Sequence, residues 1–414
     1  MPLPLGSGTS VTARALGYPL VLDNLAHRMP QSVALIGPAY PLRGGGIATY
    51  TETLAATYQR LGRRSCIVTF RYQYPNWLFP GTTQFSDDPP PEGLEIYPII
   101  HSLAPTNWLA VARWLAAWQP AMVLVNIWLP FFAPCLGTIV RRLRALLPQT
   151  FRVGIVHNVS PHERFPAAKA LTRYVLKPLE GFLVLSHAVA RELEQFDSDK
   201  PRRLVLHPPF EYGPPIPRHE ARRRLGLPED APIVLFFGLV RPYKGVDILV
   251  EALGQTPLPL LTVIAGEWYI DPEPVLHRAR ELGIAERLRV ENRFILRHEA
   301  PLYFCAADLV VQPYRSATQS GVTPLALRYE RPVVVTTAGG LCEYVEPGKT
   351  GYVVEPTPAA LAAALTDFFT HDRARHFAPY LRAAAHRWSW QTVVEMLDEL
   401  AADIARRRAS TAVA

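Results

Sequence analysis

With 414 residues, 49% of them hydrophobic and 19% charged, the chain is a globular protein long enough for two domains, each burying its own core without disulfide or metal staples. Cys66, Cys135, Cys305 and Cys342 are scattered and show neither CxxC nor Cys/His ligand spacing, so free thiols in a reducing compartment are expected, with neither zinc nor disulfides. The net charge of +7 is mainly arginine, and no run of like charges is long enough for a nucleic-acid arm, so no nucleic-acid partner is expected.

Residues 1–30 lack a basic start followed by a long apolar core. They read as a flexible arm rather than a secretory signal, which implies a cytoplasmic location. Apolar runs at 32–37, 66–70, 94–99, 122–127, 152–156, 181–185 and 204–206 then read as strands, with helix-length amphipathic stretches between most of them. Gly44-Gly45-Gly46 follows the first run and opens a helix over 47–61. Such a cluster is either a flexible turn or a place where bare backbone amides approach a phosphate or sugar. The aromatic segment 72–81 is either core or a wall for an acceptor.

Residues 122–140 carry no charge and nearly reach membrane-span length, but Asn126, Pro130, Pro134 and Gly137 interrupt them. A buried strand, a loop and a helix start are expected instead. Arg-Arg pairs at 63–64, 141–142 and 202–203 suit phosphorylated ligands or an anionic membrane surface, or form a solvated Arg-rich exterior. Asp197-Ser198-Asp199 follows a helical stretch in a polar loop, where two carboxylates without a third oxygen ligand predict no metal site. Residues 207–217 hold five prolines and make a stiff connector.

The second half repeats the alternation, with strands at 233–237, 260–265, 288–291, 308–311, 333–336 and 352–354 and helical patterns such as 246–253. Strand and helix in turn imply parallel sheets. Run 233–237 leads into Gly238-Leu239-Val240-Arg241-Pro242-Tyr243-Lys244-Gly245, which sets two cations three residues apart where a strand hands over to a helix. Backbone amides and a helix N-terminus there make a diphosphate cradle; the alternative is a solvent-facing turn with a surface ion pair.

Arg241-Pro242-Tyr243-Lys244-Gly245, then 308–314, then Arg331-Pro332-Val333-Val334 and Gly339-Gly340-Leu341-Cys342-Glu343 occur in an order that resembles family 4 glycosyltransferases. Gly44-Gly45-Gly46, the 71–84 segment and His157-Asn158 extend the resemblance over most of 31–400. It implies the GT-B architecture, an α/β fold of two facing Rossmann-like domains with a cleft between them. The domains would be an acceptor domain at 31–206, a linker at 207–217, a donor domain at 218–385, and a helix at 386–414 returning to the first domain.

The implied reaction moves a sugar from a nucleotide diphosphate, UDP or GDP, to a glycan or lipid-linked hydroxyl with retention of configuration. It implies no cofactor and no essential metal and a role in cell-envelope or exopolysaccharide synthesis; the Arg-Arg pairs add an expected peripheral contact with the inner face of an anionic membrane. Arg241, Lys244 and His157 would be catalytic. Gly45, Gly46, Gln319, Ser320, Gly321 and Val322 would bind the donor, with Asn158, Thr318 and Glu343 as further contacts. One departure stands out: the family's paired glutamates fall on Ala317 and Leu325. Thr318, Gln319 and Ser320, or Glu330, would have to substitute. The alternative is a non-catalytic binding protein with a degenerate donor site. A Rossmann-type oxidoreductase or epimerase is disfavoured by the lack of GxGxxG after the first strand and of a visible acid/base pair.

Overall fold

The computed structural model describes residues 29–43, 45–75, 79, 83–86, 88–159 and 167–413. Of the expected arm at 1–30, all but Met29 and Pro30 lie outside the described residues, as do Gly44 and, in the aromatic segment, Asn76, Trp77, Leu78, Pro80 and Gly81.

Strands β1 (Ser32–Ile36), β2 (Arg64–Tyr72), β3 (Ile96–His101), β4 (Met122–Ile127), β5 (Phe151–Val156), β6 (Gly181–Val184) and β7 (Arg202–Leu204) form one sheet in the order β3-β2-β1-β4-β5-β6-β7. Strands β8 (Ile233–Phe237), β9 (Leu261–Ala265), β10 (Leu288–Glu291), β11 (Leu309–Gln312), β12 (Val333–Thr336) and β13 (Gly351–Val354) form a second, in the order β10-β9-β8-β11-β12-β13. Every pairing between them is parallel. Both are doubly wound, with the strand order reversing between β1 and β4 and between β8 and β11. This is the expected GT-B arrangement, and it puts two ligand-binding crevices at the carboxyl ends of the central strands.

In the first domain, alternate strand residues face two different cores. Val33, Leu35 and Leu124 pack with helix Gly46–Arg60, while Ala34, Ile36 and Val125 pack with helices Pro105–Trp118 and Ala133–Leu146. The uncharged stretch 122–140 is β4, a single turn at Pro130–Phe132 and the start of the second of these helices. No helix of the described residues is long and apolar enough to cross a membrane.

Strand β7 lies two residues before the expected apolar run 204–206. It is an edge strand, so Arg202 and Arg203 can join the ladder against Phe182 and Leu183 while their heads reach acids outside the sheet.

Helix Trp390–Val413 returns to the first domain and packs on helix Gly46–Arg60 and on β6 and β7. Arg63 grips Asp398 at 2.7 Å, Arg203 reaches Glu399 at 3.2 Å and also Asp403, and Arg408 holds Glu180 at 2.6 Å. Arg64 stacks on Trp118, 4.2 Å from the ring centre, and Arg202 approaches Glu194 at 3.7 Å. Two of the three Arg-Arg pairs therefore fasten the fold, and in the third Arg141 stacks on Tyr174 while Arg142 is exposed. Asp197 is held by Lys200 at 2.7 Å, and among the described residues no group of three or more His, Cys, Asp or Glu is placed to hold a metal. The four cysteines are free thiols.

Candidate active site

Both crevices open on one cavity of about 350 Å³ between the domains, lined by Gly45, Gly46, His157 and Asn158 on one side and by Arg241, Lys244 and residues 317–322 on the other. Beyond β8 the chain turns at Gly245, whose φ is 66°. A Cβ there would stand 2.1 Å from the Pro313 carbonyl oxygen, so only glycine lets the loop after β8 press on the loop after β11. Arg315 fixes the same junction by pairing with Asp247 and donating to the Pro242 carbonyl at 3.1 Å.

The single turn Pro242–Lys244 swings Lys244 inward, its ammonium 5.4 Å from the centre of the Tyr314 ring, while the Arg241 guanidinium lies 4.8 Å from the centre of the Tyr269 ring. Burial first, then the charge of Arg241, pushes the Lys244 pKa down to about 7. An anion entering the cavity would restore the charged form.

Across the cleft, Gly45 caps helix Gly46–Arg60 without a side-chain bond, and the first turn holds no acid. Both Gly45 and Gly46 border open space, so the helix presents bare N–H groups to the cavity. His157 follows β5. The Asn126 amide Nδ2 donates to the Ile36 carbonyl and the Thr51 hydroxyl, both at 3.2 Å, which turns its Oδ1 toward His157 Nε2 at 2.8 Å. Gly37 makes room for this amide: a Cβ there would stand 2.4 Å from Asn126 Nδ2.

His157 therefore carries its proton on Nε2, and Nδ1 is free to accept from Gln319 Nε2 at 3.2 Å. Burial, assisted by His207, pushes the His157 pKa down to about 3, so the ring is neutral at physiological pH. Gln319 Oε1 is buried with no partner among the described residues, an acceptor waiting beside the cavity.

Two further contacts close the cleft. The Thr318 hydroxyl donates to Asn158 Oδ1, and the Ser186 hydroxyl donates to the Thr318 carbonyl at 2.7 Å. Glu343 does not line the cavity. Its carboxylate accepts from the backbone N–H of His187 at 3.0 Å to each oxygen, capping helix His187–Glu194 from the opposite domain.

Ala317 and Leu325 line the cavity as apolar wall, and Glu330 is exposed beyond helix Val322–Arg328, away from it. Glu52, which binds the lining residue Arg297, also accepts from the Tyr40 N–H, and Glu267 binds Arg43 at 2.6 Å. Among the described residues the lining thus holds Arg241, Lys244 and Arg297 and no carboxylate, which suits a diphosphate.

Arg297 and the linker residues His207, Phe210 and Tyr212 were not expected from the motifs. Asn126 had left a trace in the sequence, as the one polar residue in the apolar run Met122–Ile127. Of the aromatic segment, Tyr74 packs on Phe132, ring centres 5.1 Å apart, and Phe79 reaches Tyr269 of the second domain at 6.1 Å.

Residues 231–371 match the family described as Glycosyl transferases group 1, and residues 45–209 the Glycosyl transferase 4-like domain. A D-inositol 3-phosphate glycosyltransferase of Catenulispora acidiphila is 32% identical over 283 residues, covering 63% of this chain and 68% of that protein. The corresponding enzyme of Xylanimonas cellulosilytica is 34% identical over 207 residues, 48% of this chain and 49% of that one; the chain spans about half the length of several such relatives.

Among solved structures, sucrose-phosphate synthase from Thermosynechococcus elongatus superposes with a TM-score of 0.71 at 19% identity, covering 93% of this chain and all of that one. Anabaena HepE in complex with UDP and glucose superposes with a TM-score of 0.69 at 18% identity, covering 89% and 98%. At such identities these two establish the fold.

Proposed function

Because this chain belongs to the group 1 glycosyl transferases and is a glycosyltransferase of GT-B architecture, we propose that it moves a sugar from a UDP- or GDP-sugar to a glycan or lipid-linked hydroxyl, with retention, in cell-envelope or exopolysaccharide synthesis. The observation that carries the reading is the cavity in which Arg241 and Lys244 face the bare N-terminus of helix Gly46–Arg60, with no carboxylate among the described lining residues.

A nucleoside diphosphate seated there leaves as its bond to the sugar breaks, and the charge gathering on its oxygen is met by both cations and by the Gly45 and Gly46 amides. The new bond forms between the anomeric carbon and the acceptor oxygen on the same face, and the acceptor proton passes to the departing phosphate oxygen. No metal and no cofactor takes part in this scheme. His157, neutral and locked by Asn126, orients the transferred sugar rather than exchanging a proton with it.

Gln319 Oε1 replaces the missing carboxylate as acceptor for a sugar hydroxyl, without setting a negative charge beside the diphosphate. Leu325 offers an apolar contact where the family offers a carboxylate to the ribose, so donor affinity leans on the phosphates. The binding-protein alternative, which would keep the cleft without turnover, draws its weight from the two missing glutamates; Arg241 and Lys244, in place at the cavity, argue against it. Work at the inner membrane face, on a lipid-linked acceptor, is part of the same proposal.

The test is nucleotide release from a panel of UDP-, GDP- and ADP-sugars, with Lys244→Ala as control. Release from one donor, abolished in the variant, supports the reading; equal release by both proteins refutes it.

A further inference from the structure

The charge of this chain is concentrated in one segment. Residues 96–179 hold nine Lys and Arg but a single acid, Glu163, a net of +8 within a chain of +7; the remaining 330 residues therefore sum to about −1. In the fold, this segment supplies helices Pro105–Trp118, Ala133–Leu146 and Ala168–Leu176, which pack side by side on the face of the first sheet opposite the returning helix Trp390–Val413.

Their outer aspect exposes Arg113, Arg142, Arg144, Lys169, Arg173 and Lys177. No acid occurs among the described residues of the segment to pair with them. Arg141 adds a rigid element, stacked 3.6 Å from the centre of the Tyr174 ring and bonded to the Gly137 carbonyl at 3.0 Å. The same helices and the turn before the first of them also expose apolar side chains: Leu103 is 50% exposed, Leu109 38% and Tyr174 37%.

We infer that this three-helix face docks the enzyme on an anionic lipid bilayer. Six exposed cations, none ion-paired among the described residues, match a negatively charged headgroup layer. Two leucines and a tyrosine can enter the acyl boundary, a contact that a nucleic acid or an acidic protein segment does not reward. The inference rests on surface charge and is independent of the donor-site reading, since binding and turnover are measured separately.

The experiment is sedimentation of the full chain with phosphatidylcholine vesicles made with and without phosphatidylglycerol, over a salt series. Binding to the anionic vesicles alone, weakening as salt rises, is expected. The triple variant Arg142→Ala, Arg144→Ala, Arg173→Ala should lower the partition coefficient about 100-fold, at about five-fold per cation. Leu103→Ser with Leu109→Ser should lower it too while leaving the salt dependence. Nucleotide release should be unchanged in both variants, because none of these side chains lines the cleft. Failure of the parent protein to bind anionic vesicles, undiminished binding by the triple variant, or binding to RNA in preference to the vesicles would each overturn the inference.

Discussion

Replacing Lys244 by alanine tests the donor cradle most directly. The ammonium is one of three cations in a cavity whose described lining contains no carboxylate. A unit charge pair at about 4 Å is worth roughly 4 kcal/mol at an effective dielectric constant of about 20. Arg241 remains, and Arg297 is already paired with Glu52, so the transition state should lose about 3–4 kcal/mol, or a 10²- to 10³-fold fall in turnover.

The fold should not suffer. With its pKa brought down from 10.5 to about 7, Lys244 in the folded chain releases a proton that the unfolded chain keeps between pH 7 and 10.5. The residue therefore opposes folding fully below pH 7, and its penalty fades as pH rises toward 10.5. The alanine variant should be at least as stable as the parent at pH 7 and should lose this pH dependence. Donor binding by the parent at pH 7 should also take up roughly half a proton, readable by calorimetry in buffers of different ionisation enthalpy, and none in the variant. Turnover within a few-fold of the parent, or a variant that unfolds early, would refute the assignment.

Other expectations follow from the same geometry. Gln319→Ala removes the unpartnered Oε1 acceptor and also the Nε2 donor to His157 Nδ1, two opposing effects on the fold, so it should raise donor KM or lower kcat about ten-fold while changing stability by no more than about 1 kcal/mol; a large drop in melting temperature with normal kinetics would make the residue structural. His157 and His207, pushed down to about 3 and 4 by burial, stay neutral in the fold while the unfolded chain protonates below pH 6.5. Stability should thus be complete above pH 6.5 and decline as pH falls toward 4, a trend that urea midpoints measure and that a flat profile would contradict. Glu343→Ala should cost about 1 kcal/mol by uncapping helix His187–Glu194 and should weaken donor binding as the domains separate more readily, whereas unaltered stability and donor affinity would remove the clamp.

The two sheets were readable in the sequence because parallel strands buried on both faces leave continuous runs such as Ile233–Phe237 and Met122–Ile127. Strand β7 broke that rule as an edge carrying two arginines. The cradle was readable for a local reason, since Arg241, Lys244 and Gly245 share one turn. What escaped was long-range: Arg297, the linker aromatics and the Asn126–His157–Gln319 chain meet only when strands distant in sequence end at one cleft. Charge patterns misled for the same reason. Arg63 and Arg203 looked available until Asp398, Glu399 and Asp403 arrived from nearly two hundred residues or more downstream.

That distance also bears on synthesis. Leu397, Leu400, Ala401 and Ile404 share a core with Tyr50, Leu54 and Tyr58 of helix Gly46–Arg60. At a translation rate of about 5–20 residues per second, roughly 10–40 s pass between completion of β7 and delivery of the helix that covers this face. During that interval the nascent first domain presents a greasy groove, so a ribosome stalled within the second domain should leave an intermediate dependent on chaperone protection.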